Sequence, residues 1–207
     1  MTTFTIPTNA RVQGNLEVTG DMPLIPVTRC VQRNLSEYAI PWEVWRVWDA
    51  FGTNLPATPA TDDLGLVGGT FATSSPSIQT EDLKAAGSTN KYARASIVIP
   101  AYYEAGMTIQ LVINAGMLTT IADTTCTLNV AAYKSDAAAG IGSNLYAGAA
   151  QDIRSLTLAE KTFALTPTTL VAGDVLDVRL HIIVNDAATA TAVKAIIGEV
   201  VLQCDTR

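Results

Sequence analysis

The chain has one histidine, His181, and it falls inside a run from Val175 to Val184 that alternates polar and apolar residues. Its neighbours on the polar face are Asp177 and Arg179. An imidazole can move protons near neutral pH or ligate a metal, but either role needs partners of a kind this run does not supply. With no second histidine and no thiolate cluster, a transition-metal site is not indicated. His181 therefore reads as an exposed or hydrogen-bonded strand residue. The cysteines are Cys30, Cys126 and Cys204, an odd count without C-x-x-C spacing. They read as inert thiols rather than a disulfide framework or zinc site. There is no G-x-S-x-G elbow, H-E-x-x-H helix, Walker A loop or G-x-G-x-x-G turn. Gly65-Leu66-Val67-Gly68-Gly69 lacks the lysine and the strand-to-helix context of a phosphate loop, and reads as a flexible turn. Two acidic pairs remain, Asp62-Asp63 and Glu81-Asp82. A glycosidase needs two carboxyls held across a cleft. Adjacent aspartates in a Pro/Gly-rich loop read instead as solvated, or at most as a calcium ligand pair. The threonine-rich stretch Thr119 to Thr125 is compatible with carbohydrate contacts. No catalytic, cofactor-binding or metal-binding set is expected, and the chain is read as a non-enzyme.

Composition narrows the partners. Only 15% of the 207 residues are charged, against 48% apolar, and the net charge is −6. The usual charged share is about 25%. A disordered chain would be less apolar and more charged, and a coiled coil would be rich in Glu, Lys and Arg at heptad spacing. Few lysines and an acidic balance make direct nucleic-acid binding an unfavoured function. The longest apolar runs, such as Ile109–Ile113, are far short of a bilayer span, so no membrane partner is expected. Nor does the sequence from Met1 to Ile6 read as a signal peptide. An apolar surplus in a chain this low in charge points to burial against other subunits.

Short strands, punctuated by Gly and Asp turns, must position whatever function exists. They are read at Tyr92–Ile99, Met107–Asn114, Cys126–Tyr133, Thr162–Leu165, Val175–Val184 and Val193–Gln203. Regular short strands without long intervening helices indicate an all-β fold, an antiparallel β-sandwich or jelly roll. Single helical turns are expected within Ser135–Ala150 and Thr157–Lys161. Ahead of the sandwich, Arg11 to Gly20 alternates between Gly/Asn turns, with Val12, Leu16 and Val18 on one face of a short β-hairpin. The extended Met22-Pro23-Leu24-Ile25-Pro26 follows. Pro41 to Phe51 carries all three tryptophans. It fits a short helix between Pro41 and Gly52 or a strand, and it can serve as core or as a docking anchor. The proline-punctuated stretch Asn54 to Asp63 reads as a connector. The expected organisation is an arm over residues 1–61, with hairpin and Trp-rich anchor, and a sandwich over 62–207.

Three stretches resemble tailed-bacteriophage virion proteins: Gln13-Gly14-Asn15-Leu16-Glu17-Val18-Thr19-Gly20; Val44 to Ala50 running through Leu55 to Leu66; and the strand-edge phrases Pro100 to Gly106 and Val171 to Val178. The resemblance implies a capsid decoration, or cement, protein made in the host cytoplasm. Such a protein binds the major capsid protein on the outer surface of the virion as a homotrimer, without cofactors. Trp42, Trp45, Arg46, Trp48, Leu16 and Val18 would then form the anchoring interface. The alternative is a tail-fibre or receptor-binding module that holds a surface glycan.

Overall fold

The structure, a computed structural model, describes residues 34–83, 85–136, 140–187 and 191–206. They form two antiparallel sheets. The first contains Asn34–Ala39 (β1), Gly65–Val67 (β3), Ser77–Gln79 (β4), Ile109–Met117 (β6), Ala159–Ala164 (β10) and Ala195–Thr206 (β12). Its path is β10-β6-β12-β4-β3, with β1 also pairing β12. The second contains Trp45–Arg46 (β2), Gly87–Val98 (β5), Thr125–Asp136 (β7), Gly140–Ile141 (β8), Gln151–Asp152 (β9) and Val175–Asp186 (β11). Its path is β2-β5-β11-β7-β8, with β9 also pairing β7. The expected antiparallel β-sandwich is the fold of this chain.

Alternation explains the core. Along β11, Leu176, Val178, Leu180, Ile182 and Val184 are fully buried, and the residues between them are half-buried on the opposite face. Residues two apart on a strand share a face, so one inward row forms from every second position. β12 keeps this phase through an irregularity. Ala195 and Ile197 point inward, the register shifts between Ile197 and Glu199, and Val200, Leu202 and Cys204 point inward again. A one-residue bulge changes the parity of a strand, and Gly198 supplies it where a side-chain Cβ would lie 2.9 Å from Leu158 Cδ2. The inward rows of both sheets join one buried cluster with Phe163, Trp45 and Leu64. Cys126 and Cys204 are free and buried there. Burial, then the Asp152 charge, pushes the Cys126 thiol up to about 12.

Several expectations are corrected. The compact unit holding the sandwich runs from Arg33 to Arg207, so the expected boundary at 61/62 lies inside it. The cause is pairing: β1 lies along β12 in register from Asn34↔Thr206 to Ala39↔Val201. Gln203 Nε2 donates to Glu37 Oε1 at 2.6 Å, and a Ser36–Thr206 hydroxyl pair reinforces the ladder. The expected hairpin, with Leu16 and Val18, lies outside the described residues. The Trp-rich segment is partly helix and partly strand: a single 3-10 turn at Trp42–Val44 leads directly into β2. The glycine-rich Gly65–Gly69 is a strand, β3, followed by two positive-φ glycines, Gly68 and Gly69, at 89° and 83°. The helical turns expected in Ser135–Ala150 and Thr157–Lys161 are absent among the described residues, where β8 and β10 stand instead.

Candidate functional site

The outward face of the second sheet carries the richest chemistry. β5 and β11 pair with Tyr92 opposite His181, Arg94 opposite Arg179 and Ser96 opposite Asp177. Residues directly opposite on one face meet side by side, so two short alternating phrases, Asn90-x-Tyr92-x-Arg94 and Asp177-x-Arg179-x-His181, become one patch. Tyr92 and His181 stack with ring centroids 4.4 Å apart and planes 17° apart. His181 Nε2 donates to Asn90 Oδ1 at 3.0 Å. The imidazole pKa is lowered from 6.5, first by burial and then by the Arg179 charge.

Arg94 and Asp177 form a two-pronged ion pair, Nε to Oδ1 at 2.7 Å and Nη2 to Oδ2 at 2.6 Å. The same guanidinium lies 5.0 Å from the centroid of the Phe51 ring. Arg179 is held differently. Its guanidinium lies 5.7 Å from the Trp48 ring centroid and 5.2 Å from that of Tyr92. Its Nε is buried without a hydrogen-bond partner.

Trp48 is positioned by the connector that follows it. Its Nε1 donates to Asp62 Oδ2 at 2.8 Å, and its ring lies 5.0 Å from Tyr92. The connector is fixed in turn along the edge of β5. Tyr92 N–H donates to Asp62 O and Leu64 N–H to Tyr92 O, both at 2.8 Å. Lys91, fully buried at a core-facing position, donates to the carbonyl of Thr61 and pairs with Glu81 at 2.9 Å. Thr61 has φ 46°, a conformation a β-branched residue adopts only when its surroundings hold it. The Asp62-Asp63 pair is therefore not merely solvated. Asp62 anchors a tryptophan, and the Asp63 pKa is raised by burial, then by Asp62 and Asp49.

Together Trp48, Arg94, Tyr133, Ile141, Asp177 and Arg179 line an open depression of about 240 Å³. Two guanidinia, one carboxylate, two aromatic faces and an apolar rim can stack against and hydrogen-bond a flat, polyhydroxylated ring. Among the described residues, no group of three or more His, Cys, Asp and Glu is placed to hold a metal ion.

The expected anchor residues are not brought together. Trp48 joins this patch. Trp45 is 1% exposed and sits in the core, where no partner can reach it; its pairing with Ala95 turns it inward. Trp42 is half-buried against the same core. Arg46 folds back locally, donating to the Glu43 and Trp45 carbonyls. Tyr92, Arg94 and Tyr133 were not among the expected site residues. For Tyr92 and Arg94 the signal is alternation with the small core residues Ala93 and Ala95, which points both side chains away from the core.

No protein-family model and no curated protein matches the sequence. Several solved structures are similar at low level. A non-crystalline cellulose-specific carbohydrate-binding module, CBM28, aligns at 12% identity and TM-score 0.41, covering 76% of this chain and 86% of that one. The CBM22-1–GH10 part of a Clostridium thermocellum xylanase aligns at 12% identity and TM-score 0.40, covering 82% of this chain and 28% of that one. The enzymatically active domain of bacteriophage CBA120 tailspike protein 4 aligns at 14% identity and TM-score 0.37, covering 83% of this chain and 19% of that one. These likenesses concern the strand arrangement and carry no function across to this chain.

Proposed function

We propose that this chain is a non-enzymatic carbohydrate-binding module, of the receptor-binding kind found on phage tail fibres. The observation that supports it is the depression lined by Trp48, Tyr133, Arg94, Asp177 and Arg179, with Trp48 packed against the Tyr92–His181 stack. Sugar rings present apolar C–H faces and a rim of hydroxyls. Aromatic faces take the first, and a fixed fork of donors and acceptors takes the second. The sheet and the connector bonded to its edge hold these groups in place, which suits binding rather than turnover.

The test is affinity electrophoresis and calorimetry of the full chain against a panel of polysaccharides. Trp48→Ala is expected to weaken binding of any retained glycan by at least tenfold, about 1.4 kcal/mol. Tyr92→Ala is expected to do the same, because it removes the ring that supports both Trp48 and Arg179. Unchanged affinity in both variants would place the glycan elsewhere.

A second reading comes from the sequence resemblance: a trimer that decorates the outside of a phage head by binding its major capsid protein. One feature favours it, an apolar groove of about 580 Å³ at the edge of the sandwich between β1 and the end of β5. Val98 and Tyr102 stand there 62% and 71% exposed.

A further inference from the structure

We infer that the glycan is acidic, with a sugar carboxylate seated on Arg179; this rests on the carbohydrate-binding reading above. The two arginines of the depression differ in one respect. Arg94 has its charge neutralised by Asp177 through two short hydrogen bonds. Arg179 has no carboxylate and no hydrogen-bond acceptor among the described residues. Its guanidinium lies against the faces of Trp48 and Tyr92, and its charge lowers the pKa of the His181 imidazole further below 6.5. The protein has left one guanidinium half-buried, pressed into a fixed orientation and short of an anion.

Each element packed around it bears on the charge at that point. β5 contributes Arg94, β11 contributes Asp177 and His181, and β7 contributes the Tyr133 hydroxyl. Arg94 and Asp177 cancel. The connector carboxylates Asp62 and Asp63 do not line the depression; Asp62 is engaged on the Nε1 edge of Trp48. The depression therefore presents one net positive charge on a chain whose total is −6.

A half-buried charge without a partner is costly unless a ligand completes it. A planar guanidinium matches a carboxylate end-on with two parallel N–H···O bonds. Because the Nε is already buried, the end-on fork of the two terminal nitrogens is the one a ligand meets. Stacking on two rings holds that fork in place before binding, which lowers the ordering cost. A uronic or sialic acid residue supplies both parts: a ring for Trp48 and a carboxylate for Arg179.

The experiment uses the full chain and calorimetry with paired probes: oligogalacturonate and sialyllactose, and the same oligosaccharides with each carboxyl reduced to an alcohol. The acidic probe is expected to bind at least tenfold tighter than its reduced partner, the difference shrinking as salt is raised. Arg179→Gln should erase that difference, so that the acidic probe and its reduced partner bind alike. Arg179→Lys, which keeps the charge without the fork, should retain only part of it. Equal binding of acidic and reduced probes by the wild type would overturn the inference and leave the carbohydrate reading standing. An acidic preference that survives Arg179→Gln would also overturn it. No binding of either member, with no polysaccharide retained in the panel, would overturn both.

Discussion

Tryptophan, histidine and arginine side chains in this protein are defined by what lies beside them rather than by their own motif. His181 was expected to be an exposed or hydrogen-bonded strand residue, and it bonds Asn90 while stacking on Tyr92. Its pKa falls below 6.5 because burial and then Arg179 disfavour the imidazolium. The sign for stability follows from linkage. Above the unfolded pKa both states are neutral and the contribution is complete. As the pH falls from the unfolded pKa through the lower folded one, the unfolded chain takes a proton that the folded one resists, and stability is lost until both are protonated. NMR titration of the His181 ring should give a midpoint below 6.5, moving upward in Arg179→Gln; a midpoint at or above 6.5 in the wild type would contradict its burial beside the Arg179 charge. Lys91 is the opposite case. Nothing in the sequence sets it apart, yet it is fully buried, because the carbonyl of Thr61 and the Glu81 carboxylate take its charge inside the protein.

At the level of elements, most long strands were legible because one buried face imposes alternation. β11 was expected at Val175–Val184 and runs two residues further, to Asp186. The short strands were not legible. β3 and β4 have three residues each, too few for a period to register, and β1 has no buried face of its own to declare. Antiparallel register is likewise invisible in a single sequence, so the meeting of Arg94, Tyr92, Arg179 and His181 could not be read there, although Asp177, Arg179 and His181 could be placed on one face. The division of the chain is the element-scale test. A variant starting at Arg33 should melt cooperatively within a few degrees of the full chain. One starting at Thr53 removes β1 and the buried Trp45, where loss of the tryptophan side chain alone is worth about 3–5 kcal/mol. It should show no cooperative transition by circular dichroism. An intact melt in the shorter variant would return residues 34–52 to the role of an arm.

For the whole molecule, the apolar surplus divides in two. Most of it lines the sandwich interior, and a remainder stays at the surface in the groove beside Val98 and Tyr102. The second functional reading stands or falls there. Light scattering of the purified chain should give a trimer's mass if that groove is a subunit contact, with Tyr102→Lys shifting the mass toward the monomer. A monomer at all concentrations would remove the structural basis of head decoration and leave the glycan-binding reading unaffected.

The pairing of Asn34 with Thr206 has a mechanical consequence. Both ends of the sandwich unit are adjacent members of one antiparallel ladder, whose hydrogen bonds lie perpendicular to the strands. Tension applied between these two ends would load the rungs one at a time, as in opening a zipper, instead of shearing them together. A pull of that geometry peels β1 from β12 first, while the face that carries Trp48 and Arg179 is on the other sheet and outside the line of force.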